Sequence, residues 1–178
     1  MDNEDLREQI KLRESQLLVF RENLVSVALS LIGAPTRKYD SPDNGMTPDG
    51  GFDCSGFVNY VAKIAAEKSD FPLQMPRHSR EIFREVGEFA DYDFRDRGDL
   101  IFFERHNRVS QWIGHIGIIL SPTEFMHSPG LDNREITIST IPDTPHKLGK
   151  VSEHQLYRYH ETIKKFSLPI GDHGFTVS

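Results

Sequence analysis

The sequence contains a single cysteine, Cys54, among 178 residues, which excludes a disulfide bond within the chain. Long apolar runs are also missing, and no stretch approaches the about 18 consecutive apolar residues that a membrane-spanning helix needs. The net charge is −6, so the chain lacks the basic surface that nucleic-acid binding requires. A hydrophobic content of 37% predicts one globular domain with a substantial core.

Residues 1–7 are acidic and lack the basic and apolar regions of a secretory signal peptide. We therefore expect the protein to act in the cytoplasm or to be exported by a route other than the general secretory one. A lone thiol is compatible with a reducing compartment. The oligomeric state is not predicted by the sequence.

Hydrophobic periodicity predicts helices early in the chain and strands later. The predicted helices cover residues 4–32, 55–67 and 79–86, and the predicted strands cover residues 98–103, 113–120, 124–127, 135–140 and 154–160. Helices followed by strands indicate an α+β fold, with helices packed on an antiparallel sheet of about five strands. We divide the chain into a helical extension (1–21), which we expect to pack through its apolar face, a domain (22–165) and a C-terminal tail (166–178).

Cys54 stands where a glycine-flanked turn leads into a predicted helix. The positive end of a helix favours the thiolate, which is the reactive form of cysteine. This position therefore suits a nucleophile. Taken alone, however, a single cysteine is more often a small buried hydrophobic residue.

Two histidines in the predicted strands are candidate partners for the thiol. Cysteine hydrolases need a base near the thiol and a polar group that orients the base. If the strands that carry them form a hairpin, we expect His115 to be the base, His127 to orient it, and the backbone amide of Cys54 to stabilise an oxyanion. The same three residues match zinc ligands by type, but they lack the close paired spacing of zinc motifs, so we expect no metal.

Four segments, taken in order, closely resemble the NlpC/P60 cysteine peptidases. They are residues 52–58 (Phe-Asp-Cys-Ser-Gly-Phe-Val), 98–103 (Gly-Asp-Leu-Ile-Phe-Phe), 114–120 (Gly-His-Ile-Gly-Ile-Ile-Leu) and 125–127 (Phe-Met-His). Each segment alone is weak, but the ordered set is specific. The resemblance implies a papain-like α+β fold and a catalytic triad of Cys54, His115 and His127 that uses no metal or organic cofactor.

Members of that family typically hydrolyse bacterial cell-wall peptides, often at the bond between γ-D-glutamate and a diamino acid. The resemblance therefore implies a cysteine hydrolase whose partner is a peptidoglycan stem peptide or a related small peptide. It also implies that the Cys54 thiolate is paired with the His115 imidazolium. The alternatives are a thiol-dependent amidase or acyltransferase with a non-wall substrate, and a catalytically silent binding module.

The resemblance also suggests substrate-binding roles for four residues. Asp53 and Ser55 flank the nucleophile, although a helix cap explains Asp53 equally well. Arg77 either pairs with a carboxylate or lines the cleft. Tyr39 is a candidate replacement for a tyrosine that family members carry before the nucleophile, because Thr36 stands at that position in this sequence.

Overall fold

The computed structural model describes residues 3–38, 45–105, 113–145, 148–152, 155–160 and 162–167. Within these ranges helices come first and most strands later, which confirms the predicted α+β fold class. The helices are α1 (Asn3–Ser30), α2 (Cys54–Ser69) and α3 (Ser79–Glu85), and a 3-10 helix covers Tyr92–Phe94. None of these helices is long and apolar enough to cross a membrane, as far as the described residues go.

The strands form a small sheet and a large antiparallel sheet. In the small sheet, β1 (Met46–Thr47) pairs with β2 (Gly51–Phe52) directly before α2. The described strands of the large sheet are β3 (Glu88–Asp91), β4 (Leu100–Arg105), β5 (Ile113–Ser121), β6 (Glu124–His127), β7 (Thr137–Thr140), β8 (Leu148–Ser152), β9 (Gln155–Tyr159) and β10 (Thr162–Lys165). Six of them lie in the order β3-β10-β4-β5-β6-β7, while β9 pairs with β4 and β8.

The large sheet therefore has eight described strands where about five were expected. Three strands were not expected: β8, which pairs with β9, and β3 and β10, which pair with each other over four residues at one edge of the sheet. Three of the four residues of β3 are exposed, so this strand lacks the alternation of apolar and polar residues that marks a half-buried strand in a sequence.

The main core lies between the helices and one face of the large sheet. Helix α2 packs against both α1 and β5. Along β4, Leu100 and Phe102 join this core, whereas Ile101 and Phe103 join a second apolar cluster. Successive side chains of a strand point to opposite faces, so β4 contributes to an apolar layer on each side of the sheet.

The first half of α1 does not pack on the domain. Residues 4–15 are all exposed, whereas Phe20, Leu24 and Ala28 are fully buried. The packing that we expected for the N-terminal extension is therefore wrong for residues 4–15, and the helix reaches the core only in its second half. The proposed extension and domain share one continuous helix, and the predicted tail lies outside the described residues beyond position 167.

A buried ion-pair network fastens the second half of α1 to the sheet. The carboxylate of Asp99 is fully buried and lies 2.7 Å from Arg21 Nη2 and 2.8 Å from Lys165 Nζ. The backbone N–H of Asp96 donates a hydrogen bond to the same carboxylate at 2.8 Å. Burial raises the pKa of Asp99, and the two cations oppose that shift. Removing Arg21 or Lys165 would leave the buried Asp99 carboxylate with one cation fewer, which would destabilise the folded protein.

Candidate active site

Cys54 is the first residue of α2, as the sequence predicts. Asp53 caps the helix with an extended backbone, and its Oδ1 accepts a hydrogen bond from the N–H of Gly56 at 2.7 Å. The side chain of Cys54 is half-buried and packs against the main core. The thiol thus sits at the positive end of a well-capped helix.

Two glycines allow the preceding loop to lie against the first turn of α2. A Cβ atom on Gly56 would overlap the carbonyl oxygen of Gly45. That oxygen accepts a hydrogen bond from the backbone N–H of Asp53 at 2.9 Å. Gly45 itself has φ +55°, in the left-handed region that glycine adopts readily. The loop and the helix start therefore form one closely packed unit beside Cys54.

Arg77 contacts both residues that flank the cysteine. Its Nη1 donates to Ser55 Oγ at 2.8 Å and to Asp53 Oδ1 at 3.2 Å, and its Nη2 donates to Asp53 Oδ2. Asp53 and Ser55 are only 1% and 2% exposed. Asp53 is therefore a helix cap and Arg77 pairs with its carboxylate, while contact of these three residues with a substrate stays a prediction. Tyr39 lies outside the described residues.

The two histidines face each other on neighbouring strands. Strands β5 and β6 form the expected hairpin, and His115 Nε2 lies 2.9 Å from His127 Nδ1. Both side chains are 2% exposed. The ring of Phe103 lies 5.2 Å from that of His115, and the ring of Phe125 lies 4.8 Å from that of His127, measured between centroids. Aromatic rings thus exclude water from the sides of the pair.

Gly117 makes this arrangement possible. A Cβ atom at this position would lie 2.7 Å from Cδ2 of Phe125 and 3.4 Å from Cβ of His127. Any larger residue would push β6 and its histidine away from β5. The glycine two positions after His115 therefore sets the distance between the two imidazoles.

A hydrogen bond links the histidine hairpin to the segment that enters α2. Ser128, which follows His127, donates to the carbonyl oxygen of Phe52 at 2.6 Å. Phe52 stands two residues before Cys54, and α2 packs against β5, which carries His115. The structure therefore brings the three predicted triad residues to one junction of α2, β5 and β6. Their catalytic roles stay predictions.

Burial controls the ionisation of the thiol and of the imidazoles. It raises the pKa of Cys54 to about 12, with a further increase from the Asp53 carboxylate, whereas the backbone N–H of Ser55 and the Arg77 guanidinium oppose the shift. Burial and the neighbouring His127 lower the pKa of His115 well below its usual value, and burial lowers that of His127 to about 4. All three groups are therefore neutral near pH 7. The expected resting pair of thiolate and imidazolium is not supported, because burial outweighs the effect of the helix start.

Within the described ranges, no group of three or more His, Cys, Asp or Glu side chains could hold a metal ion. The imidazole nitrogens of His115 and His127 face each other at 2.9 Å, which is a hydrogen-bond distance. Zinc ligands instead converge on a shared point about 2 Å from each nitrogen. The geometry therefore gives no support to the zinc alternative.

Three residues of this region were missed by the sequence reasoning. Ser139 Oγ lies 2.9 Å from His127 Nε2, Ser128 makes the bond to the segment before α2, and Asn59 Nδ2 donates to the carbonyl oxygen of Pro76 at 2.7 Å. Each of them bonds to a partner that is remote in the sequence. A polar residue in a strand or helix gives no signal of such a bond, so the fold is needed to find it.

The chain also matches a known family of proteins. The family model described as "NlpC/P60 family" matches residues 38–153, which is more than half of the chain. The chain therefore belongs to the NlpC/P60 family. This confirms the resemblance that the four ordered segments indicated.

Two curated relatives come from Escherichia coli (strain K12). The chain is 38% identical over 87 residues to the probable endopeptidase YafL, covering 48% of this chain and 32% of YafL. It is 30% identical over 101 residues to the murein DD-endopeptidase MepH, covering 56% of this chain and 34% of MepH. The chain thus spans about one third of the length of these relatives.

Solved structures show the same fold. A protein of the NlpC/P60 family from Bacillus cereus matches with a TM-score of 0.58 and 24% identity, over 82% of this chain and 40% of that one. RipD from Mycobacterium tuberculosis, described as a non-catalytic NlpC/p60 domain protein adapted to peptidoglycan binding, matches with a TM-score of 0.53 and 18% identity, over 82% and 96%. At these identities the similarity establishes the fold alone.

Proposed function

We propose that this chain is a cysteine endopeptidase that hydrolyses peptide bonds in the stem peptides of bacterial peptidoglycan. The bond between γ-D-glutamate and a diamino acid is the first candidate. The observation that carries the proposal is the bond between His115 Nε2 and His127 Nδ1 at the junction with the α2 start. Family membership and the name of MepH, a murein DD-endopeptidase, support the substrate class.

In the proposed reaction, His115 acts as a general base at Nδ1, the ring nitrogen that does not face His127. Cys54 Sγ attacks the carbonyl carbon of the substrate while its proton passes to this nitrogen. Both groups start neutral, because burial raises the pKa of Cys54 to about 12 and lowers that of His115. Proton transfer therefore accompanies formation of the carbon–sulfur bond and does not precede it.

His127 orients the base. When Nδ1 of His115 accepts the thiol proton, its Nε2 carries a hydrogen and donates it to Nδ1 of His127 at 2.9 Å. Burial lowers the pKa of His127 to about 4, so the ring is neutral near pH 7, and its Nδ1 accepts this bond in the tautomer that carries the hydrogen on Nε2. The bond fixes both the tautomer and the ring orientation of His115.

The first turn of α2 stabilises the negative charge that develops on the substrate oxygen. The backbone N–H of Cys54 is the proposed donor, and the N–H groups of Ser55 and Cys54 lower the pKa of the thiol, so they favour negative charge at this place. His115 then gives its proton to the leaving amine. Water, activated by His115, then hydrolyses the thioester and restores the thiol. The proposed reaction uses no metal or cofactor.

Two synthetic peptides test the proposal by mass spectrometry. One contains the γ-D-glutamyl–diamino acid bond, and the other is a cross-linked dimer of stem peptides. Cleavage of the first by the wild type but not by Cys54→Ala supports the proposed bond. Cleavage of the cross-link alone keeps the substrate class and assigns a different bond. Absence of cleavage of both peptides by a folded wild-type protein contradicts the proposal.

A further inference from the structure

The hydrogen-bond chain continues beyond His127 into β7. His127 Nε2 lies 2.9 Å from Ser139 Oγ. Strand β7 runs antiparallel to β6, with Ser139 opposite Phe125 and Thr137 opposite His127. The side chains of Ser139 and His127 therefore lie diagonally on one face of the sheet. Ser139 is half-buried, whereas the other three residues of β7 are exposed.

We propose that Ser139 is a positioning residue that fixes the tautomer of His127 and, through it, the tautomer of His115. This inference rests on the proposed function of His115 as the base. The base needs its hydrogen on Nε2, which then donates to Nδ1 of His127. His127 must consequently carry its own hydrogen on Nε2, and Ser139 Oγ accepts it at 2.9 Å.

Loss of this acceptor would favour the wrong tautomer. Without Ser139 Oγ, the buried N–H of His127 loses its partner, which is unfavourable. The alternative tautomer of His127 places the hydrogen on Nδ1, pointing at Nε2 of His115. His115 then has to carry its hydrogen on Nδ1, where it cannot take the proton of Cys54. Ser139 thus favours the tautomers in which the Nε2–H groups of His115 and His127 both point away from the thiol.

The electrostatic surroundings make a carboxylate at position 139 a sensitive probe. Among the described residues, burial and His127 lower the pKa of His115, and burial lowers the pKa of His127. The charges of Asp53 and Arg77 act on the thiol, and Glu124 on β6 is exposed. A carboxylate introduced beside His127 Nε2 would therefore be the main charge acting on that ring and would favour its protonated form.

The test compares three variants by the pH dependence of kcat/KM on the cleaved stem peptide. The kcat/KM of Ser139→Ala is expected to be about tenfold below that of the wild type, which corresponds to the loss of one hydrogen bond. Ser139→Thr keeps a hydroxyl and is expected to retain most of the wild-type kcat/KM. In Ser139→Asp the carboxylate favours protonated His127, so the acid limb of the pH profile of kcat/KM is expected to move to higher pH by about one unit. Thr137→Ala is the matched control on the same face of β7 and should resemble the wild type. Ser139→Ala at wild-type activity, with an unmoved acid limb in Ser139→Asp, overturns the proposal.

Nitrogen-15 NMR of the imidazoles tests the same inference without turnover. The wild type is expected to carry the His127 hydrogen on Nε2, and Ser139→Ala is expected to show a population with the hydrogen on Nδ1. His160 is an internal reference, because its Nδ1 accepts from the N–H of Thr162 at 3.0 Å. A wild type with the hydrogen on Nδ1 of His127 overturns the inference. A correct tautomer in a protein that cleaves neither stem peptide supports the positioning role of Ser139 and contradicts only the proposed function.

Discussion

Ser128 Oγ donates a hydrogen bond of 2.6 Å to the carbonyl oxygen of Phe52. This contact joins the residue after His127 to the segment that leads into Cys54, although the two partners lie 76 positions apart in the sequence. It couples the position of the orienting histidine to the position of the nucleophile. Displacement of one side of the junction is therefore transmitted to the other.

Ser128→Ala tests this coupling. The change removes one of the two donors to the buried carbonyl oxygen of Phe52 and leaves the backbone N–H of Arg37, at 2.9 Å, as the other, so we expect the free energy of unfolding to fall by about 1 kcal/mol. Peptide cleavage should fall more than tenfold at temperatures where the variant is folded, because small displacements of reacting groups cost large factors in rate. Urea unfolding and kcat measure the two effects. Ser121→Ala, at the half-buried C-terminal end of β5, is the control, and equal activity of the two variants would contradict the coupling.

The thiol pKa predicts slow alkylation of Cys54 near neutral pH. A pKa raised to about 12 leaves the thiol protonated in this range, and the thiolate fraction grows about tenfold for each pH unit up to that value. The rate of reaction with iodoacetamide should therefore rise steadily from pH 7 to pH 10. The urea-unfolded chain, whose thiol has the ordinary pKa of about 9.0, should react faster at every pH in this range. Rapid alkylation of the folded protein at pH 6 would indicate the ion pair that the structure does not support.

The buried histidines predict that the protein becomes less stable in mild acid. The folded-state pKa of His127 is about 4, below its ordinary value of 6.5, so the unfolded chain binds protons first as the pH falls. The stability contributed by the neutral ring is therefore fully present above pH 6.5 and is lost as the pH falls towards 4. The loss from His127 amounts to about 3 kcal/mol over this window.

Urea unfolding at pH 7, 5.5 and 4.5 measures this loss. His127→Gln is the matched variant, because glutamine keeps a polar amide at the site and does not titrate. We expect its stability to fall less steeply than that of the wild type between pH 7 and 4.5. Parallel curves for the two proteins would show that other groups cause the acid sensitivity.

The elements that form the site follow from local sequence patterns. The turn at Asp53 and the apolar face of α2 predict a helix that starts at the cysteine, and the β-branched run around His115 predicts its strand. The structure confirms the predicted α+β fold class, and the family match confirms the predicted family. The hairpin that unites His115 and His127 follows from the short connection between their strands.

Other features depend on contacts that only the folded chain makes. Strand β3 was missed because its exposed residues carry no alternation. The apolar residues of the first half of α1, such as Leu6 and Ile10, predict packing that is not present against this domain. The resting ion pair of Cys54 and His115, which the helix start and the family resemblance favour, is not supported by the structure, because the cost of burying a thiolate depends on residues that pack around Cys54 from elsewhere in the chain.

Acid-quenched intact-protein mass spectrometry of the wild type during turnover of the γ-D-glutamyl peptide tests the central claim most directly. The proposed chemistry predicts a transient adduct with the mass of the acyl part of the substrate. Peptide mapping should place it on Cys54, and Cys54→Ala should show neither adduct nor cleavage. Turnover by the wild type without an adduct on Cys54, together with cleavage by Cys54→Ala, would contradict catalysis by this thiol.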